Sequence, residues 1–211
     1  MNTSKGRILP ALLAALVFNS CGIDGGSRGT GITSTAQGNI ASIQTAAMTA
    51  EATDLGGIRV TVEESGRHSN TASNGSFVVR GTFEGELKLQ FTRADGIHAH
   101  TGINLPAGGT LTLNNVHIDN TNGSATPESQ DVEFLGKIVE IDCGAQTLEL
   151  VALRHAATDT DSYTLRLDTS TLRDKQGNAL SCADLGNGQK ARVQGTVNDD
   201  GSFGHAQVVI D

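Results

Sequence analysis

From Ile58 onward, apolar and polar positions alternate with a period of two, interrupted at short intervals by turn-forming residues. That is the pattern of short antiparallel strands, each with one buried face. Ile58, Val60 and Val62 share one side of such a strand, Phe77 and Val79 of another, then Leu87, Leu89 and Phe91, then Leu111 and Leu113. Side chains return to the same face every second residue, so these positions are the expected core of a nearly all-β fold. Asn74 and Gly75 stand between two such runs, and both tolerate a positive φ, which marks a hairpin-type turn.

The alternation stops at "DNTNGSATPESQ", where Ala125 is the single small apolar residue among turn formers and Pro127. The stretch reads as a linker. Strands are then expected at residues 132–142, 147–153, 163–168, 191–197 and 203–210, with one helical turn at 181–185 ahead of Gly186. Five strands within about 80 residues predict a small closed or partly closed barrel. The expected order is a leader at 1–20, a flexible tether at 21–37, a small Greek-key β-sandwich at 38–119, the linker at 120–130 and an OB-like β-barrel at 131–211.

The first twenty residues follow a different rule. Lys5 and Arg7 precede an apolar stretch, Ile8 to Phe18, that has the length of a secretory signal's hydrophobic body. It falls short of the roughly 20 apolar residues a spanning helix needs, and Pro10 interrupts it. Cys21 follows, and then a glycine-rich run from Gly22 to Gly31 that has almost nothing to bury. This order of basic head, apolar body, small residue Ser20, cysteine and leash resembles bacterial lipoprotein precursors. The resemblance implies that Cys21 is lipidated and that the mature protein is exported and anchored to the bacterial cell envelope, with the membrane as its partner through the lipid. Several acyl chains at about 0.8 kcal/mol per buried methylene hold a protein stably, where one does not. An ordinary free thiol at Cys21, or an uncleaved anchor, is the alternative.

Removal of Lys5 and Arg7 with the leader leaves 13 basic against 23 acidic residues, a net charge of −10 in place of −8. Nucleic-acid binding depends on phosphate neutralisation and, for single strands, on aromatic stacking. An acidic chain with no Trp, one Tyr and six Phe suits neither, so nucleic acid is excluded as a partner. With Cys21 set aside, Cys143 and Cys182 form an even pair, and in an oxidising compartment a disulfide is expected. Closing that loop of about 40 residues is worth roughly 4 kcal/mol in the chain-entropy model. Two separate buried thiols are the alternative.

Candidate chemistry is sparse. His98 and His100 share a strand face, and His117 would have to approach from a neighbouring strand to complete a three-histidine zinc site. Solvated edge-strand histidines are the plainer reading. Asp159 and Asp161 lie close together in "DTDSY", but neither that stretch nor "DNTNG" has the glycine and glutamate of a calcium loop. Ser181 beside Cys182 lacks the setting of a nucleophile, and no phosphate-binding glycine motif opens a helix. The expectation is therefore no catalytic residue, no metal and no cofactor.

Two family resemblances refine the picture. "GIRVTVEESGRHSNTASNGSFVV", with Thr71, Asn74, Gly75 and Phe77 in a Thr-x-x-Asn-Gly-x-Phe pattern, and the later "LPAGGTLTLNNVHI" resemble the carboxypeptidase regulatory-like domains, transthyretin-like sandwiches. The resemblance implies an accessory, non-catalytic role. "EFLGKIVEIDCGAQTLEL", "LDTSTLRD" and "SCADLGNGQKARVQGTVNDDGSFGHAQVVI" resemble the bacterial domain-of-unknown-function 5666 family, with Leu185, Gly188, Val193, Gly195, Gly201 and Ser202 at its final hairpin. That family implies architecture and address, and carries no site residue. The expected function is a non-enzymatic interaction or spacer role in the envelope, with an envelope protein as candidate partner. A ligand-binding OB-type barrel for oligosaccharide or peptide is the alternative, and a metal-dependent enzyme stands behind it.

Overall fold

A computed structural model describes residues 33–45, 54–153, 162–198 and 200–211. The fold is all-β, with fourteen strands and one 3-10 turn, Cys182–Asp184, among the described residues. The first eight strands are β1 (Ser34–Gln44), β2 (Arg59–Val62), β3 (His68–Asn70), β4 (Ser76–Gly81), β5 (Gly85–Thr92), β6 (His98–Leu105), β7 (Thr110–Asp119) and β8 (Ser124–Thr126). They are followed by β9 (Ser129–Asp142), β10 (Thr147–Ala152), β11 (Ser162–Arg166), β12 (Thr171–Asp174), β13 (Lys190–Val197) and β14 (Phe203–Ile210).

In the first half, β1 pairs antiparallel with β4 and parallel with β7, while β3, β2, β5 and β6 form a second ladder. The alternating residues face one another between these layers. Phe77 on β4 meets Phe91 on β5 edge to face, with ring centroids 5.8 Å apart, a geometry that aligns the positive ring edge with the negative face. Ile58, Val60, Val62, Val79, Leu87, Leu89, Leu111 and Leu113 are all buried, as their spacing predicts. Ala72 accepts the Gly75 N–H at 2.9 Å, and Gly75 closes the turn at φ +80° with its edge against the Ile40 backbone, leaving no room for a Cβ.

In the second half, β9 pairs with β10, β10 with β11, β11 with β14, β14 with β13, and β13 returns to β9. The ladder thus returns on itself as a five-stranded Greek-key barrel, closed between β11 and β14 at the Leu165–Phe203 position. Its centre is an aromatic cluster: Phe134, Tyr163 and Phe203 lie 5.5 to 5.8 Å apart, centroid to centroid. The short β12 adds a parallel partner to β14 outside the ring.

Two boundaries differ from the sequence reading. β1 begins at Ser34, inside the expected tether, and its inward residues Ala36, Ile40 and Ile43 are buried. Segment 120–130 holds β8 and the start of β9. Its turn residues are used for tight geometry between strands: Ala125 is buried, and Gly123 takes φ +66°.

Phe203 is fully buried at the centre of the barrel's aromatic cluster. Phe203→Ala is expected to cost about 3–5 kcal/mol, from lost apolar burial plus the cavity left behind. Urea titration of the folded protein checks this, and a loss below about 1 kcal/mol contradicts the packing described.

Candidate functional site

A connected polar cluster lies on the outer face of the β1–β7 pair. The register there runs Gly38 opposite Leu113, Ile40 opposite Val116 and Ser42 opposite His117, so each strand in turn carries one extra residue. Asn115 absorbs the first irregularity at φ 48°, a region that asparagine enters more readily than most residues. The paired bulges bring Ser42 and His117 out on one face while Ile40, Ile43 and Val116 remain buried.

The Ser42 hydroxyl lies 2.7 Å from His117 Nδ1, and His117 Nε2 lies 3.1 Å from Glu128 Oε1. Asn115 Nδ2 donates to the other Glu128 oxygen at 2.7 Å, and Asn39 Nδ2 donates to Asn115 Oδ1 at 3.0 Å. The Asn115 amide, and after it the His117 ring, hold the Glu128 carboxyl below its ordinary range. With the ring proton on Nε2, the imidazole donates to Glu128 and accepts from Ser42, which polarises the hydroxyl. The order is reversed from the usual serine relay, where the hydroxyl sits on Nε2 and the acid on Nδ1. His117 and Glu128 are 47% and 57% exposed, so water competes for both contacts.

The other histidines are placed elsewhere. His98 and His100 are exposed on β6, where the His98 ring lies 3.3 Å from the Gln90 amide. Among the described residues, no group of three or more His, Cys, Asp or Glu gathers as a metal site. The three histidines are therefore not brought together. Asp159, Asp161 and Cys21 lie outside the described residues. Ser42, Asn115 and Glu128 were not legible as a cluster, because Glu128 sits in the presumed linker and Ser42 ahead of the first recognised strand.

Cys143 and Cys182 are joined by a disulfide with Cα atoms 5.8 Å apart, 39 residues apart in sequence. It ties the β9–β10 turn to the 3-10 turn. Asp184 reinforces that turn by accepting from Ser181 N at 2.8 Å and Ser181 Oγ at 2.6 Å. A second feature is a cleft of about 600 Å³ between the exposed side of β6 and the turn joining β13 to β14. No family model matches the chain, and no curated protein matches it. Among the described residues, no helix is long and apolar enough to cross a membrane.

The loop carboxylates give this surface a defined acid response. Asp174 is held below its ordinary range first by the Asn178 side chain, Asp184 by Ser181 and Asp200 by Ser202. A carboxyl whose folded pKa is depressed contributes stability above its unfolded pKa, and this is lost as pH falls through the folded value. The thermal midpoint is therefore expected to be insensitive to these groups above about pH 5 and to drop below about pH 4. In Asp174→Asn the acid-induced drop becomes shallower, as melts from pH 7 to pH 2 would record; an unchanged acid limb contradicts the assignment.

Proposed function

We propose that the protein is an exported, lipid-anchored component of the bacterial cell envelope with a non-enzymatic interaction or spacer role. The observation that carries this reading is the Cys143–Cys182 bond. Structural disulfides persist in oxidising compartments, and are rare where thiols are kept reduced. Pairing these two leaves Cys21 as the odd cysteine of three, directly behind the apolar leader. An odd cysteine in an exported chain calls for its own chemistry, and acylation supplies it.

On this reading the chain runs outward as lipid, glycine leash, carboxypeptidase regulatory-like sandwich and domain-of-unknown-function 5666 barrel. The all-β build suits such a role, since its two halves present extended sheet faces. Radiolabelled palmitate is expected in the wild-type protein and absent from Cys21→Ala. Label retained by the variant, or a native product found in the cytosol with its first twenty residues intact, sinks the proposal.

A second reading draws on the Ser42–His117–Glu128 chain, which is the arrangement of a nucleophile with an oriented base. A fluorophosphonate probe that labels the wild type and spares Ser42→Ala would establish acyl-transfer chemistry and displace the non-enzymatic role.

A further inference from the structure

Strand β6 is paired along its whole length on one side and only at its beginning on the other. Its inner side runs against β5, from Gly85 opposite Leu105 to Thr92 opposite His98. On the outer side, His98 N–H donates to Asn120 Oδ1 at 2.7 Å and His100 N–H donates to Gly123 O at 3.1 Å, next to the single bridge between His100 and Ser124 of β8. Beyond His100 no strand continues this pairing among the described residues.

Backbone polarity alternates along an antiparallel strand, so every second residue directs both its N–H and its C=O away from a given neighbour. His98 and His100 turn theirs away from β5, and Gly102 and Asn104 have the same parity. The partner strand agrees: Lys88, opposite Gly102, sends its N–H to the Glu64 carboxylate at 3.0 Å and its C=O to the Glu63 N–H at 2.9 Å, both away from β6. The main-chain groups of Gly102 and Asn104 therefore face the open edge. This edge forms one wall of the 600 Å³ cleft, whose other side includes Gln130, Val197, Asn198 and Gly201.

Three further features point to an occupant. A Cβ built on Gly102 meets nothing within 4 Å, and its φ lies outside the left-handed region, so the glycine opens space that its conformation does not require. The Asn104 side-chain oxygen is buried at the cleft wall without a hydrogen-bond partner among the described residues, a condition that costs free energy until something donates to it. Glu86, opposite Asn104 and exposed, has no ion-pair partner among the described residues, whereas Lys88 already faces Glu63 at 3.6 Å.

We propose that the Thr101–Leu105 edge of β6 binds an extended peptide as an added strand, with a lysine or arginine of the peptide directed at Glu86. Two residues of matching direction, Gly102 and Asn104, stand about 6.8 Å apart along the strand, which is the repeat of a second β-strand. A guest residue opposite Asn104 projects on the same face and lies about 10 Å from Glu86, two strand spacings away, a gap bridged by two long side chains reaching toward each other. Among the described residues no Phe, Tyr or Trp lines the cleft, so the broad stacking platform of a sugar site is missing from it. The chain's own net charge of −8 disfavours a second copy as the guest. The proposal rests on the reading of the protein as an interaction module, and names the chemistry of its partner.

The test is selection of a random heptapeptide display library on the purified mature protein, followed by synthesis of the enriched peptides and measurement by fluorescence anisotropy and amide NMR. Enriched peptides are expected to carry Lys or Arg, to shift the Gly102 and Asn104 amides, and to lose binding when alternate peptide nitrogens are methylated. Gly102→Pro removes one N–H from the open edge without touching the β5 pairing and is expected to weaken binding about tenfold. Glu86→Lys, an exposed substitution, keeps the proposal testable should the proline variant misfold, and is expected to lower affinity for basic peptides specifically. No enrichment, enriched acidic peptides, equal binding by a folded Gly102→Pro and by Glu86→Lys, or a dimer by sedimentation that Gly102→Pro dissolves would each overturn it. Palmitate labelling of Cys21 is scored separately: peptide binding without label leaves the edge site standing and removes the envelope address, and label without peptide binding does the reverse.

Discussion

The pairing of β7 with β9 joins the ladder of the first half to the barrel of the second. Residues Thr110 to Asn114 run antiparallel to Ser129 to Glu133, so the ladder of the first half passes without a break into the barrel of the second. Asn114 fastens the start of this pairing by donating to Ser129 Oγ at 2.9 Å and to Asp131 Oδ2 at 2.7 Å. The other Asp131 oxygen accepts from Thr196 Oγ1 at 2.9 Å, which brings β13 into the same junction. One carboxylate thus satisfies donors from two strands, and the buried residues of both halves form a contiguous core. Inter-strand hydrogen bonds fix direction as well as distance, so the walls of the cleft beside β6 are held in a set relation.

Edges are handled differently in the two halves. In the barrel β13 returns to β9 and closes the ring, with β11 joined to β14 through the Leu165–Phe203 position. The first half ends its β6 edge with substitutes for a strand: an Asn120 side chain, the Gly123 carbonyl and the three-residue β8. These cover the beginning of β6 and stop before Gly102. Natural sheets usually blunt such edges with charge, bulges or a covering loop. Here Glu64 and Lys88 stand near the gap, and an uncharged glycine occupies its middle.

The β1–β7 face illustrates a second economy of the fold. Two compensating bulges change which side chains emerge without disturbing the buried row of Ile40, Ile43, Val116 and Ile118. A bulge shifts the pleat by one residue, so it exchanges the faces of everything beyond it until a second bulge restores them. The outcome is a run of polar contacts from Asn39 through Asn115 and Glu128 to His117 and Ser42, drawn from three separate stretches of sequence.

The class of fold, the buried row of each well-alternating strand, the Asn-Gly turn and the barrel strands are legible in the amino-acid sequence, because all of these depend on local periodicity and on turn chemistry within a few residues. β1 was missed because Gly38 and the bulges break its alternation, and β12 because four residues are too few to show a period. Periodicity does not encode the partner of each strand, the continuation of β7 into β9 across a polar segment, the convergence of Ser42 and Glu128 on His117, or, among the described residues, the outer edge of β6 left open beyond His100. The pairings are set by hydrogen bonds between residues remote in sequence, whose register follows from how the buried faces pack and not from either segment alone, and the open edge is what those pairings leave over.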